Sequence, residues 1–342
     1  FQGCTYLQNV SLPSTLETIG EAAFQGCNGI AAINLPEKLE TIGVSAFRDC
    51  AALGSIHFPA SMRTVYASAF QNDPALTEIT MEEGMDWLDG NVFAECPALE
   101  RVQLADSITK LGYRLFYNDT ALKEVNIPVS WKECPEYNRY YYGHMFEGCS
   151  ALTEITIPES VTSIGYSAFE RCSSLTAVTI PGSVTTIGSS AFEYCRSLTS
   201  VTIGDSVTTI GERAFSFCDS LTTVIIGNSV TTIGASAFYG SSLTSVTIPN
   251  SATTIGDYAF GSCDNLTSVI IGSRVTTIGD DAFYDCNSLA SVTIPDSVAT
   301  IEEKTFEGCD NLTSVTIGNG VTTIGREAFI YCNSLQSVTI PD

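Results

Sequence analysis

Thirteen cysteines and two histidines are the residues of this 342-residue chain best equipped for chemistry. Thiols at fixed spacing can pair as disulfides, ligate a metal or attack as nucleophiles, and a histidine beside a hydroxyl or thiol supplies a general base. Twelve of the cysteines share one phase, most of them 23 residues apart: Cys4, Cys27, Cys50, Cys96, Cys149, Cys172, Cys195, Cys218, Cys263, Cys286, Cys309 and Cys332. Only Cys134 falls outside it. Asp73, Asp119 and Ser241 occupy the same phase where a cysteine is missing. His57 lies between Ile56 and Phe58, and His144 follows a cluster of tyrosines. Two histidines are too few for much general-base chemistry, and the carboxylate pairs Glu82-Glu83 and Asp280-Asp281 lie in turn segments, where they read as solvated charge.

The elements that must position these groups follow from the period. A Phe stands three residues before each lattice position, from Phe1 and Phe24 to Phe306 and Phe329; twelve of the fourteen intervals are 23 residues. The exceptions are 30 residues between Phe116 and Phe146, an insertion of seven, and 22 between Phe238 and Phe260. A fixed period of this length means a solenoid, so residues 1–342 read as one array of about fifteen coils rather than several domains. Within a coil, Val178 and Ile180 or Val292 and Ile294 alternate with Ser and Thr, the pattern of a short strand with one buried face. Pro181, Gly204, Pro249 or Gly272 then turns the chain. Ile187-Gly188 and Ile278-Gly279 mark a second corner, where glycine is expected to adopt positive φ. Adjacent coils are expected to stack their strands into a parallel sheet with in-register Leu, Val, Ile and Phe columns, the return segments being irregular turns. The fold class is thus a repeat solenoid, mostly β.

In such a stack the cysteines form a column of parallel side chains. That direction suits neither the disulfide torsion nor tetrahedral ligation, so the reading favoured is packing by small buried thiols, with no metal and no cofactor. Cys134 is the exception, a candidate for a free thiol or an intermolecular bond. His57 points outward, with Asn34 and Thr80 as lateral neighbours, and no Ser or Cys stands beside it; the chain reads as non-enzymatic.

Composition narrows the partners. Fifteen Lys and Arg against 38 Asp and Glu leave a net charge of −23, which repels nucleic acid and anionic membrane surfaces. A hydrophobic content of 44% excludes disorder, and no apolar run reaches the roughly 18 residues that a membrane span requires. Charged residues are only 15%, so the exposed surface is largely hydroxyl.

The repeat Leu-x-x-Val-x-Ile-Pro, followed by Ile-Gly-x-x-Ala-Phe with Cys three residues later, resembles the BspA-like, treponemal-type leucine-rich repeat family over essentially the whole chain. The resemblance implies a leucine-rich-repeat solenoid without a shared catalytic motif. It also implies a surface or secreted protein of a host-associated bacterium or parasitic protist, several such proteins being adhesins for host matrix proteins or cells. The chain begins at Phe1 and stops at Asp342 inside a repeat, which reads as a fragment truncated at both ends, its signal, cap and anchor lying elsewhere.

Each coil is a control for its neighbours. From Leu152 onward the outward strand positions are mostly Ser and Thr, as in Thr179, Ser200, Thr202, Ser291 and Thr293, which reads as a uniform spacer. Between His57 and Glu154 they carry Glu78, Arg101, Gln103, Glu124, Asn126 and Glu154. This polar stripe is a candidate recognition face, with drift of solvent-facing positions as the alternative. The insertion at residues 129–145 contains Trp131, Tyr137, Arg139, Tyr140 and Tyr142, residue types that anchor interfaces. Recognition by this loop and local packing of its rings both stand as readings. The expected function is a binding or adhesion module for a host extracellular protein or glycan, the alternative being a stalk that presents another domain.

Overall fold

The computed structural model describes residues 1–130 and 143–341. The chain forms a parallel β-solenoid with turns about 23 residues apart and, among the described residues, no helix. It divides into two compact units, Phe1–Val161 with Gly165–Leu175 and Thr162–Ile164 with Thr176–Asp342.

The alternating Val/Ile segments form the expected strands. In the first unit Ser55–Phe58, Glu78–Met81, Arg101–Gln103 and Glu124–Val125 make a four-stranded parallel sheet. In the second, Ala177–Thr179, Ser200–Thr202 and Thr223–Ile225 make one of several shorter sheets. Register is one coil, so Val178 pairs with Val201 and Val201 with Val224. The centre of each strand is buried and its flanks are exposed, because period two sends alternate side chains to opposite faces.

A second parallel ladder runs through the segments that the sequence assigns to irregular return turns. Thr18–Ile19, Thr41–Ile42, Thr64–Val65, Trp87–Leu88 and Lys110–Leu111 stack in the first unit, and Ser163–Ile164 through Thr277–Ile278 form six strands in the second. Each strand has two residues, too short for an alternation to show. Threonine hydroxyls reinforce both sides of the coil. Thr208 Oγ1 donates to the Thr185 carbonyl at 3.2 Å, Thr231 to Thr208 at 3.0 Å and Thr199 to Thr176 at 3.1 Å. The abundance of threonine is therefore partly structural: the hydroxyls bind the carbonyl one coil earlier.

The corner glycines act differently from expectation. Gly43 and Gly279 are not in the left-handed region. A Cβ on Gly43 would stand 2.6 Å from the Glu21 nitrogen, and one on Gly279 2.6 Å from the Asp257 nitrogen, so glycine is required there because neighbouring backbones approach closely. Positive φ falls instead on two other columns, two residues before and two after each Phe, as at Ser45 and Asp49 around Phe47 or Ser190 and Tyr194 around Phe192. These reversals aim alternate N–H groups at the next coil: Ser45, Phe47 and Asp49 donate to the carbonyls of Ala67, Ala69 and Gln71.

Between the ladders and the turns lies the core. The phenylalanines stack face to face, with ring centroids 5.2 Å apart for Phe24 and Phe47 and for Phe192 and Phe215. Lattice cysteines lie beside them, fully buried from Cys27 to Cys309.

Candidate functional site

The twelve lattice cysteines are free thiols. The buried Sγ–H groups share one kind of acceptor, the carbonyl of the Phe one coil earlier: Cys50 donates to Phe24 at 3.2 Å, Cys172 to Phe146 at 3.1 Å and Cys286 to Phe260 at 3.2 Å. Burial pushes Cys172 and Cys286 up, Cys50 to about 12 and Cys263 to about 11, so these four are protonated and inert as nucleophiles. Cys134 lies outside the described residues.

Asp73 and Asp119 take the thiol's place with a reversed bond. Asp73 Oδ1 accepts the Cys50 N–H at 2.7 Å, and Asp119 Oδ1 accepts that of Cys96 at 2.8 Å. Both carboxyls are fully buried, their Oδ2 atoms have no partner, and burial raises both well above the carboxylate range. Burial in the core thus favours their neutral form.

The carboxylate pairs are not merely solvated. Glu83 accepts the N–H groups of Asp106 at 3.1 Å and Ser107 at 2.9 Å, and Asp280 accepts that of Glu303 at 3.0 Å, each closing a turn of the next coil. His57 pairs in register with Thr80, as expected; its Nδ1 lies 2.8 Å from Thr80 Oγ1 and its Nε2 3.5 Å from Glu82 Oε1. That sequence of hydroxyl, imidazole and carboxylate has the connectivity of a relay. The His57 and Glu82 side chains are 59% and 50% exposed, however, so bulk water solvates the site that a shielded, preorganised environment would have to occupy.

His144, Glu147 and Glu170 bring three potential ligand atoms within 4.8 Å of one another. Arg171 already supplies the positive charge: its Nη1 is 3.3 Å from Glu147 Oε1 and 2.8 Å from Glu170 Oε1, while His144 Nδ1 contacts Glu147 Oε2. The guanidinium thus pairs with two of the three candidate ligands.

The polar stripe is assembled by the four-stranded sheet of the first unit. Register places Ser55, Glu78, Arg101 and Glu124 in one outward row, and His57, Thr80 and Gln103 in the next. Arg101 Nε donates to Glu124 Oε2 at 2.9 Å with both side chains more than 60% exposed, giving a row of alternating charge. Asn126 is committed to structure: its Nδ2 donates to the Leu104 carbonyl at 2.9 Å and its Oδ1 accepts the Leu104 N–H at 2.8 Å, extending the ladder where the strand ends. Glu154 is exposed on a segment that is not a strand, so it is not paired into this sheet. Trp131, Tyr137, Arg139, Tyr140 and Tyr142 lie outside the described residues.

Sequence reasoning missed a second outward row in the same coils. Along the two-residue ladder the column reads Thr18, Thr41, Thr64, Trp87 and Lys110, whereas in the second unit it holds Thr at 186, 209, 232, 254 and 277. Trp87 packs edge-on against Tyr66 at 5.6 Å, and Lys110 Nζ is 3.9 Å from Asp86. The signal was present in the sequence, Trp and Lys standing where the repeat has Thr. It was hidden because that segment was assigned to turns.

Residues 1–123, 139–265 and 231–342 match the family model of the BspA type leucine-rich repeat region, in six copies. A leucine-rich repeat protein from Bacteroides ovatus is similar at 27% identity and a TM-score of 0.64, over 94% of this chain and 82% of that one. One from Eubacterium ventriosum matches at 22% identity and 0.52, over 92% and 85%, and the pneumococcal vaccine antigen PcpA at 20% and 0.51, over 96% and 78%. The last two are alike in fold. No curated protein matches the chain.

Proposed function

We propose that this chain, which belongs to the BspA-type leucine-rich repeat family, is a non-enzymatic binding module of a cell-surface or secreted protein, with a host extracellular protein or glycan as its partner. One observation carries the reading. Departures from the repeat occur in both outward rows of the same coils: Glu78, Arg101 and Glu124 on one ladder, Trp87 and Lys110 on the other. Drift would scatter such changes over all coils. Here the charged and aromatic ones concentrate in the first unit, while the second unit departs at Ile225 and Ile270, both aliphatic, and keeps the outward Thr of the second ladder. A closely packed stack offers these groups on a backbone that loses little freedom on binding.

The insertion at 129–145 is assigned a supporting contact in the same module, through Trp131, Tyr137, Arg139, Tyr140 and Tyr142. The outward rows of the second unit, mostly Ser and Thr and interrupted by the exposed Ile225 and Ile270, favour a second role for that part, as a spacer.

The test is a screen of the purified chain against immobilised matrix proteins and a glycan array. A specific ligand whose binding falls at least about tenfold on Glu78→Ser, Arg101→Ser and Glu124→Ser together supports the strand-face site. Loss only on deletion of 129–145 moves the site to the insertion. A folded protein without any ligand supports the spacer reading for the whole chain.

A further inference from the structure

The turn side of the second unit carries an aromatic strip to which the binding site above assigns no role. Tyr194 and Phe217 stack with centroids 5.0 Å apart and planes at 2°. The chain of contacts continues edge-to-face from Phe217 to Tyr239 at 5.4 Å, to Tyr258 at 6.3 Å and to Tyr284 at 6.3 Å. These rings are outside the core: the phenylalanines beneath them, Phe192 to Phe283, are fully buried, whereas Tyr258 is 40% exposed and the other four are half-buried.

Contiguity here is not a by-product of repetition. Tyr194 and Phe217 lie two residues after their core Phe, Tyr239 and Tyr284 one residue after, and Tyr258 two residues before. Three columns contribute, yet each ring touches the next. Where the strip changes column, small residues make room: a Cβ on Gly240 would be 3.1 Å from the Phe217 ring, and one on Gly261 3.0 Å from the Tyr239 ring. Tyr194, Phe217 and Tyr258 also adopt positive φ, a conformation that Gly, Asn or Asp fills more easily in other coils, as at Gly26, Asn72 and Asp285. Bulky rings have been placed where small residues would fold better.

The surrounding charge is acidic. Asp281 pushes the Tyr258 hydroxyl up, and Asp285 does the same to that of Tyr284. Asp257 and Asp280 stand exposed alongside, and among the described residues no Lys or Arg forms an ion pair with Asp257, Asp280 or Asp285. Lys304, the cation acting on Asp281, is held by Glu307 at 3.0 Å. Electron-rich ring faces bordered by carboxylates are the chemistry that recognises a cation. The chain itself shows the mode at one end, where the Arg196 guanidinium lies 5.8 Å over the Tyr194 ring.

We propose that Tyr239, Tyr258 and Tyr284, with Asp257, Asp280 and Asp285, form a docking strip for an extended basic peptide segment. Alternate residues of an extended chain are about 6.6 Å apart, close to the 6.3 Å between these rings, so Lys or Arg at every second position meets successive rings. Alternation distinguishes this from the diffuse attraction that a chain of charge −23 exerts on any cation.

The probe is a fluorescent ten-residue peptide alternating Arg with Ser, measured by anisotropy at physiological salt against a peptide of the same composition with its arginines in one block. The strip predicts tighter binding of the alternating peptide, and a weakening of about tenfold or more for Tyr258→Ser with Tyr284→Ser, a change that leaves the charge intact. Asp280→Asn with Asp285→Asn is expected to weaken binding similarly. Glu78→Ser, Arg101→Ser and Glu124→Ser are expected to leave it unchanged, which separates this proposal from the first-unit site. Equal binding of the two peptides, or indifference to the tyrosine substitutions at an unchanged melting temperature, overturns it. So does a strip that takes a neutral glycan and no basic peptide.

Discussion

Asp73 and Asp119 show how one residue type can be wrong for its column and still fold. The thiol they replace donates to a Phe carbonyl, and an ionised carboxylate cannot donate. The column accommodates them as acceptors of the N–H of the preceding coil's Cys, at the expense of an unpartnered Oδ2, and burial favours their neutral form. The sign of the pH dependence follows. Both folded-state values lie above the unfolded value near 3.8, so the stability these groups contribute is fully present below that pH. It is lost as pH rises through the folded value. Asp73→Cys with Asp119→Cys is therefore expected to raise the melting temperature at pH 7 by several degrees, and the gap from the parent is expected to shrink as pH falls toward 4. Calorimetry across that range checks it; a gap independent of pH would mean that the two aspartates are ionised in the folded protein. The sequence showed that these positions tolerate Asp, but not the protonation state, which depends on burial that only the stacked core reveals.

Along the coil, the elements were legible in proportion to their length. Val178 and Ile180 alternate with Thr over enough positions to declare a strand, and the 23-residue spacing of Phe and Cys declared the stack. The two-residue ladder from Thr18–Ile19 to Lys110–Leu111 has no alternation to read, so its outward Trp87 and Lys110 went unnoticed. The left-handed columns at Ser45 and Asp49 or Arg213 and Phe217 were equally hidden, because the residues there are not glycine. The glycines that were visible serve close backbone approach instead. Stability should be local in such a stack, since each element contacts its neighbours in the ladder. Phe215 lies between Phe192 at 5.2 Å and Phe238 at 5.4 Å with no exposed surface. Phe215→Ala is expected to cost about 3–5 kcal/mol. Its hydrogen-exchange signature is expected to be confined to amides of the coils around residues 192–238. A uniform loss of protection across the second unit would show that the unit unfolds as one cooperative block instead.

Across the whole chain, the period made the family and the fold readable from sequence, whereas the site was only partly so. Glu78, Arg101 and Glu124 were found because one strand face was compared coil by coil, and the structure joins them in one row. Asn126, chosen by the same comparison, proved to be a backbone partner of Leu104, a use that polarity alone does not disclose. Surface ion pairs such as Arg101 with Glu124 contribute about 0.2–1 kcal/mol, so removing them tests recognition with little effect on folding. The measurement that bears most directly on the central claim is surface plasmon resonance of the screened ligand on a variant combining Glu78→Ser, Arg101→Ser, Glu124→Ser, Trp87→Thr and Lys110→Thr. That variant restores the Ser and Thr of the plain repeat in both outward rows. Binding reduced at least about a hundredfold, with the melting temperature unchanged, is the result expected if these coils carry the site. Full affinity in the same variant would contradict it.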